Sequence, residues 1–179
     1  GGSSRGLGRA IAIAFAQEGA SVTISARTEA DLRRTEIELA RIGSQHHVLA
    51  IPADLSVARD IRRVVRDTFN RFGQIGILVT HVRYGPTGKP SEFTDETIMA
   101  SLEESFLSAL RLTREVVPYM KQQRWGRIIH LLPIRANNTS EGAALSAASQ
   151  MALVGYSKML ASELAPFHIP VNNLLSGPV

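Results

Sequence analysis

The chain has 179 residues, 44% of them hydrophobic and 20% charged, the balance of a globular domain able to bury one ordinary core. It has no cysteine, which excludes disulfides and thiolate metal sites, and no apolar run of membrane-spanning length. The formal net charge of +4 raises nucleic acid as a partner. However, the arginines between Arg33 and Arg71 are interleaved with Asp and Glu on amphipathic stretches, so solvated helix faces account for them. No leader pattern precedes the first motif, and the expectation is a cytoplasmic protein that binds neither nucleic acid nor membrane.

In chain order, Leu7, Ile11, Ala14 and Phe15 fall at helical spacing over residues 5–18, and Gly19 stops that helix. Residues 21–25 read as a strand. Thr28 and Asp31 have the spacing of a capping box ahead of a charged helix carrying Leu32, Ile37 and Leu39. Residues 48–51 form the next strand. A helix over 57–72 turns Ile61, Val64, Val65, Phe69 and Phe72 inward. Residues 75–79 are almost wholly apolar, as a strand of a parallel sheet covered on both faces requires. A loop with Gly85, Pro86, Gly88 and Pro90 leads to one long helix over 95–120. A strand over 128–132, a small-residue helix over 142–165 and a strand over 171–175 complete the pattern.

Short apolar runs alternating with helical periods predict an α/β fold, a doubly wound parallel sheet in one domain over 1–179. The chain opens on a turn that should follow a strand, and it stops directly after one. The expectation is therefore a domain truncated at both ends, without its first, central strand and without C-terminal elements.

Gly2, Ser4, Arg5, Gly6, Leu7 and Gly8 open the first helix. Glycines at these spacings let the backbone turn tightly and approach a pyrophosphate, whose charge rests on the helix N-terminal N–H groups. The helix, strand and polar turn that follow are those of a Rossmann-type nucleotide site. An NAD site calls for a carboxylate about 20 residues past the glycines. Here Ala26 and then Arg27 stand at that turn. A guanidinium there can grip a 2′-phosphate, and Arg5 adds a second charge, so NADP(H) is expected rather than NAD(H).

With these residues the chain resembles the short-chain dehydrogenase/reductase family, most closely its 3-oxoacyl-[acyl-carrier-protein] reductase-like members. The similarity extends over Ala53-Asp54-Leu55, Ile77-Leu78-Val79 and Val117-Pro118-Tyr119-Met120. It continues through Gly126-Arg127-Ile128-Ile129 and from Ile169-Pro170-Val171-Asn172-Asn173 into Ser176-Gly177-Pro178-Val179. The resemblance implies an NADP(H)-dependent oxidoreductase in which Asp54 and Leu55 lie against the adenine. It also implies a homo- or hetero-oligomer formed through the helices near 95–120 and 142–165, which carry Ala109, Ala143, Ala144, Ala147, Ala148 and Ala152.

The catalytic positions depart from the family. Its Asn-Asn-Ala-Gly segment is replaced by Thr80-His81-Val82-Arg83, and Arg83 is expected to crowd the adenosine end of the site. The family uses a Tyr as acid/base, a Lys one helical turn on, a Ser after the preceding strand and an Asn on the long helix. Counting back from Ala152-Leu153-Val154-Gly155 places Ser146 at the Tyr position and Gln150 at the Lys position. Pro133 takes the Ser position and, counting back from Pro118, Ser105 takes the Asn position. A seryl hydroxyl is far too weak an acid, Gln150 brings no charge and Pro133 offers no donor. Tyr156 and Lys158 are two apart, cannot share a helix face, and leave Tyr156 as a packing residue. His81 and His130, near strand ends, with Tyr84, Arg83 and Arg135 beyond them, are possible substitutes or simply positions released from constraint. His46 and His47 look like solvent-edge residues. Two functions follow: an oxidoreductase with a divergent site, or a non-catalytic paralogue acting as nucleotide sensor or structural subunit.

Overall fold

The structure, a computed structural model, describes residues 3–82, 85–133 and 143–176. It is an α/β protein of Rossmann-like type with parallel strands, divided into two compact units within residues 1–74 and 75–178. No helix among the described residues is long and apolar enough to cross a membrane.

The first unit runs α1 (Gly6–Gln17), β1 (Val22–Ala26), α2 (Glu29–Ile42), β2 (Val48–Pro52) and α3 (Ala58–Phe72). β1 and β2 pair in parallel from Val22 opposite Val48 to Ala26 opposite Pro52, so α2 is the crossover between them. α1 ends where the sequence indicates: Gly19 takes φ +78°, its N–H donates to Ala16 O, and the Ala20 N–H donates to Phe15 O. The buried face of α1 is Ala12 and Ala16, packed with Ile24, Leu32 and Leu39, whereas Ala14 is exposed. Small side chains let this helix pack closely, a feature that a search for large apolar residues overlooks. On α2 the inward set is Leu32, Thr35 and Leu39, and Ile37 is 54% exposed. Position 37 lies five residues from 32, well off the stripe that repeats every three or four. Thr28 is the residue before α2, but its side chain caps no N–H, so the capping box expected there does not form.

The second unit runs β3 (Ile77–His81), α4 (Asp95–Leu102), α5 (Ser108–Gln123), β4 (Arg127–Pro133), α6 (Ala144–Leu164) and β5 (Val171–Ser176). Its three strands are parallel in the order β3-β4-β5. Val82, Ala109, Leu132 and Leu153 form a core cluster, with Phe106, Val154 and Tyr156 against it. The single helix expected over 95–120 is interrupted by a π turn, Glu103–Leu107. Serines cause it locally: Ser105 Oγ donates to Ser101 O, and Ser108 Oγ lies within 2.9 Å of Glu104 O and 3.0 Å of Ser105 O. Such back-bonding competes with the backbone ladder and bends helices. π turns recur at functional sites.

Candidate functional site

In the first unit the glycine loop meets the start of α2. Gly6 adopts φ +50°, a conformation an L side chain resists, and a Cβ there would meet nothing within 4 Å. α1 begins without a side-chain cap and without an acidic residue in its first turn. Among the described residues no side chain caps its first N–H groups and no acid of its first turn opposes them, an arrangement that suits an anion. A cleft of about 510 Å³ is lined by Ser4, Arg5, Arg9, Asp31, Arg34, Thr35 and Glu38. Arg5 is paired through Nε and Nη2 with Asp31 Oδ2, the Nε contact being 3.0 Å. Arg9 Nη2 lies 2.5 Å from Glu38 Oε1, and Arg34 Nη1 is 3.8 Å from Asp31 Oδ1. Thr35 Oγ1 donates to Asp31 O at 3.1 Å and stands 3.4 Å from Ser4 O, tying α2 to the loop. Asp31 is the site residue that sequence reasoning missed, because its spacing from Thr28 assigned it to a cap. The signal available was an acid in the first turn of the helix that follows a strand and an arginine.

Arg27 follows β1 directly, is exposed, and engages no carboxylate among the described residues. Asp54, just past β2, accepts from the Ser56 N–H at 3.0 Å and from Ser56 Oγ at 2.8 Å, an Asx turn. Leu55 is half-buried beside Ile51, Ala53 and Val64. Leu7 and Gly8 lie in the first turn of α1. Gly2 falls outside the described residues, as do Arg83, Tyr84 and Arg135.

In the second unit Ser105, Ser146 and Gln150 are 3%, 2% and 0% exposed, and Pro133 is the buried last residue of β4. The Gly85 N–H donates to Ser146 Oγ at 2.7 Å. A Cβ on Gly85 would stand 2.7 Å from Ser101 Oγ and 3.4 Å from Ser146 Oγ, so a glycine is what allows this approach. Ser101 Oγ, Ser149 Oγ and both polar atoms of Gln150 have no hydrogen-bond partner among the described residues. A buried carboxamide left without partners costs about 1–3 kcal/mol. A groove of about 560 Å³, lined by Gly85, Pro86, Glu96, Thr97, Ala100, Ser101, Glu104 and Ser105, opens alongside.

The two histidines are not brought together. His81 ends β3, but His130 lies mid-strand in β4, opposite Thr80. Its Nδ1 is 2.7 Å from Thr80 Oγ1. Thr80 and His130 therefore share one sheet face, and alternation puts His81 on the other. His130 is 0% exposed, and burial lowers its pKa to about 4, so it is neutral and internal. Tyr156 packs edge-on against Phe106, centroids 6.4 Å apart, and burial raises its phenol pKa. His46 and His47 are exposed.

A D-beta-hydroxybutyrate dehydrogenase of Cupriavidus necator is 31% identical over 98% of this chain and 67% of its own length. Dehydrogenase/reductase SDR family member 4 of Oryctolagus cuniculus is 34% identical over the same shares. A short-chain dehydrogenase from Streptomyces avermitilis superposes with a TM-score of 0.90 at 28% identity, over 99% of this chain and 65% of that one. A 3-ketoacyl-(acyl-carrier-protein) reductase from Brucella melitensis, complexed with NADH, gives 0.90 at 25%, over 98% and 73%. The chain thus spans about two thirds of the relatives' length. The family model described as short chain dehydrogenase matches residues 1–179, and the chain belongs to that family of oxidoreductases.

Proposed function

We propose that this protein is an NADP(H)-binding member of the family in which ordinary carbonyl reduction is lost. The family binds nicotinamide dinucleotides. The residues here fit one: an uncapped α1 N-terminus for the pyrophosphate, Arg27 for a 2′-phosphate, Asp54 and Leu55 beside the adenine. Gly2, Ser4, Arg5, Gly6, Leu7 and Gly8 are the residues proposed to meet the pyrophosphate. A nicotinamide bound in such a site supplies a hydride. A carbonyl accepting that hydride also needs a proton and a donor to its oxygen.

The observation that carries the reading is the state of Ser146 and Gln150. Ser146 Oγ is held by the Gly85 N–H, and Gln150 offers an uncharged carboxamide where a lysine would lower the pKa of a neighbouring acid. Ser105 spends its hydroxyl proton on Ser101 O, and Pro133 has no donor at all. Loss of general acid/base help alone lowers rates by about 10²–10⁴. His130 is enclosed and neutral, which weighs against a replacement acid there, so His81 is the remaining candidate in a divergent enzyme.

The whole of 1–179 is read as one dinucleotide-binding domain, similar to 3-oxoacyl-[acyl-carrier-protein] reductase-like proteins and acting as nucleotide sensor or as a subunit of a homo- or hetero-oligomer. Calorimetric titration with NADPH and NADH tests the first half of this reading, and micromolar NADPH with weaker NADH is expected. NADPH oxidation with a panel of 3-oxoacyl thioesters and quinones tests the second. Turnover at the rate of an ordinary family reductase would sink the claim of lost catalysis.

A further inference from the structure

Resting on the dinucleotide site just proposed, we infer that Asp31 sets its cofactor preference by holding Arg5, so that a 2′-phosphate engages this arginine only by displacing a carboxylate. Arg5 directs Nε and Nη2 at one oxygen of Asp31, while the other oxygen faces Arg34 at 3.8 Å. The pair is unequal: the Arg5 side chain is 75% exposed and that of Asp31 only 16%. Asp31 is the anchored member. It sits in the first turn of α2, and Thr35 Oγ1 binds its carbonyl while reaching the Ser4 carbonyl, which ties that turn to the glycine loop. Arg5 is the exposed member, and rotation about its side-chain bonds can carry its guanidinium to another anion without moving the backbone.

Carboxylate and phosphate ester compete for the same planar fork of N–H donors. A phosphate ester carries about −1.5 to −2 near neutral pH against −1 for the carboxylate, so it can win the exchange, but only the difference appears as affinity. A dinucleotide without the 2′-phosphate leaves the Arg5–Asp31 pair untouched and bears no such cost. Arg27, free of any carboxylate among the described residues, greets the phosphate without competition. Asp31 therefore compresses the preference for NADPH over NADH that two free arginines would give.

Calorimetry at low ionic strength with NADPH and NADH separates the terms. Asp31→Asn keeps the shape of the side chain and removes its charge. It should tighten NADPH about two- to fivefold and leave NADH unchanged within about 1.5-fold, the scale expected of a largely exposed ion pair. In the background of Arg5→Gln, the same Asp31→Asn change should leave the NADPH/NADH ratio unmoved. Thermal unfolding of each variant confirms that the fold is retained. If Asp31→Asn raises the ratio equally with Arg5 absent, the effect is bulk charge and the inference is overturned. If Arg27→Ala lowers the ratio but Asp31→Asn does not raise it, the site reading stands and the role of Asp31 fails. If neither cofactor binds the protein or its Asp31→Asn variant, the dinucleotide reading fails and takes the inference with it.

Discussion

At position 130 an imidazole lies wholly inside a parallel sheet, Nδ1 against Thr80 Oγ1 and Nε2 without a partner among the described residues. Burial lowers its pKa from 6.5 to about 4. Between those values the unfolded chain carries a proton that the folded one does not. The stability due to neutral His130 is therefore fully present above pH about 6.5, and it is lost as pH falls toward about 4. At about 1.4 kcal/mol per pH unit, the loss is about 3 kcal/mol. Urea unfolding of the protein and of His130→Gln across that window checks this. The variant should flatten the slope, and an identical slope in both would show that other groups cause the acid sensitivity. Gln150 is another buried side chain whose carboxamide has no hydrogen-bond partner among the described residues, and a buried amide left so costs about 1–3 kcal/mol.

Among the elements, two helix starts with the same cap residue behave differently. Thr94 precedes α4, and its Oγ1 accepts from the Thr97 N–H at 3.3 Å, satisfying one open donor of the first turn. Thr28 precedes α2, and its carbonyl accepts from the Leu32 N–H at 3.1 Å, but its side chain caps no N–H of that helix. Thr94→Ala should therefore destabilise by about 1 kcal/mol and Thr28→Ala by a few tenths at most. Denaturant midpoints measured side by side decide it, and equal losses would mean that the α2 start is capped in solution. The π turn between α4 and α5 belongs to this scale as well. Ser105 and Ser108 lie in and beside it, and their hydroxyl-to-carbonyl bonds account for the break better than any glycine or proline, neither of which stands there.

For the molecule as a whole, the proposed oligomer has a definite surface to test. α6 buries Ser146, Ser149, Gln150, Leu153, Ser157 and Leu160, and leaves Met151 and Met159 54% and 73% exposed beside exposed Ala152 and Gly155. A Cβ on Gly155 would meet nothing within 4 Å, so a second helix has room to approach there. α4 adds Met99, 55% exposed. Sedimentation velocity of Met159→Glu against the unchanged protein should show a shift to a smaller species. An unchanged distribution would remove this face from consideration.

The period of apolar residues and the placement of glycines by themselves determined the alternation of strands and helices and the parallel α/β class, while the matched segments from Ala53-Asp54-Leu55 to Ile169-Pro170-Val171 carried the family resemblance. These are local properties, written in spacing and in turn chemistry, and each strand was legible to within about two residues. Gly19 shows why: a residue at φ +78° ends a helix in any surroundings. What a side chain faces is not local. Only the tertiary structure decided that Asp31 serves Arg5 rather than a cap, since the two are 26 positions apart in sequence. It likewise enclosed His130 against Thr80, turned Ala12 and Ala16 rather than Ala14 into the core, and broke the long helix at its serines. Spacing along one element fixes which residues share a face. The partner that face meets is set by chain brought back from elsewhere, and with it the charge, burial and chemistry of the site.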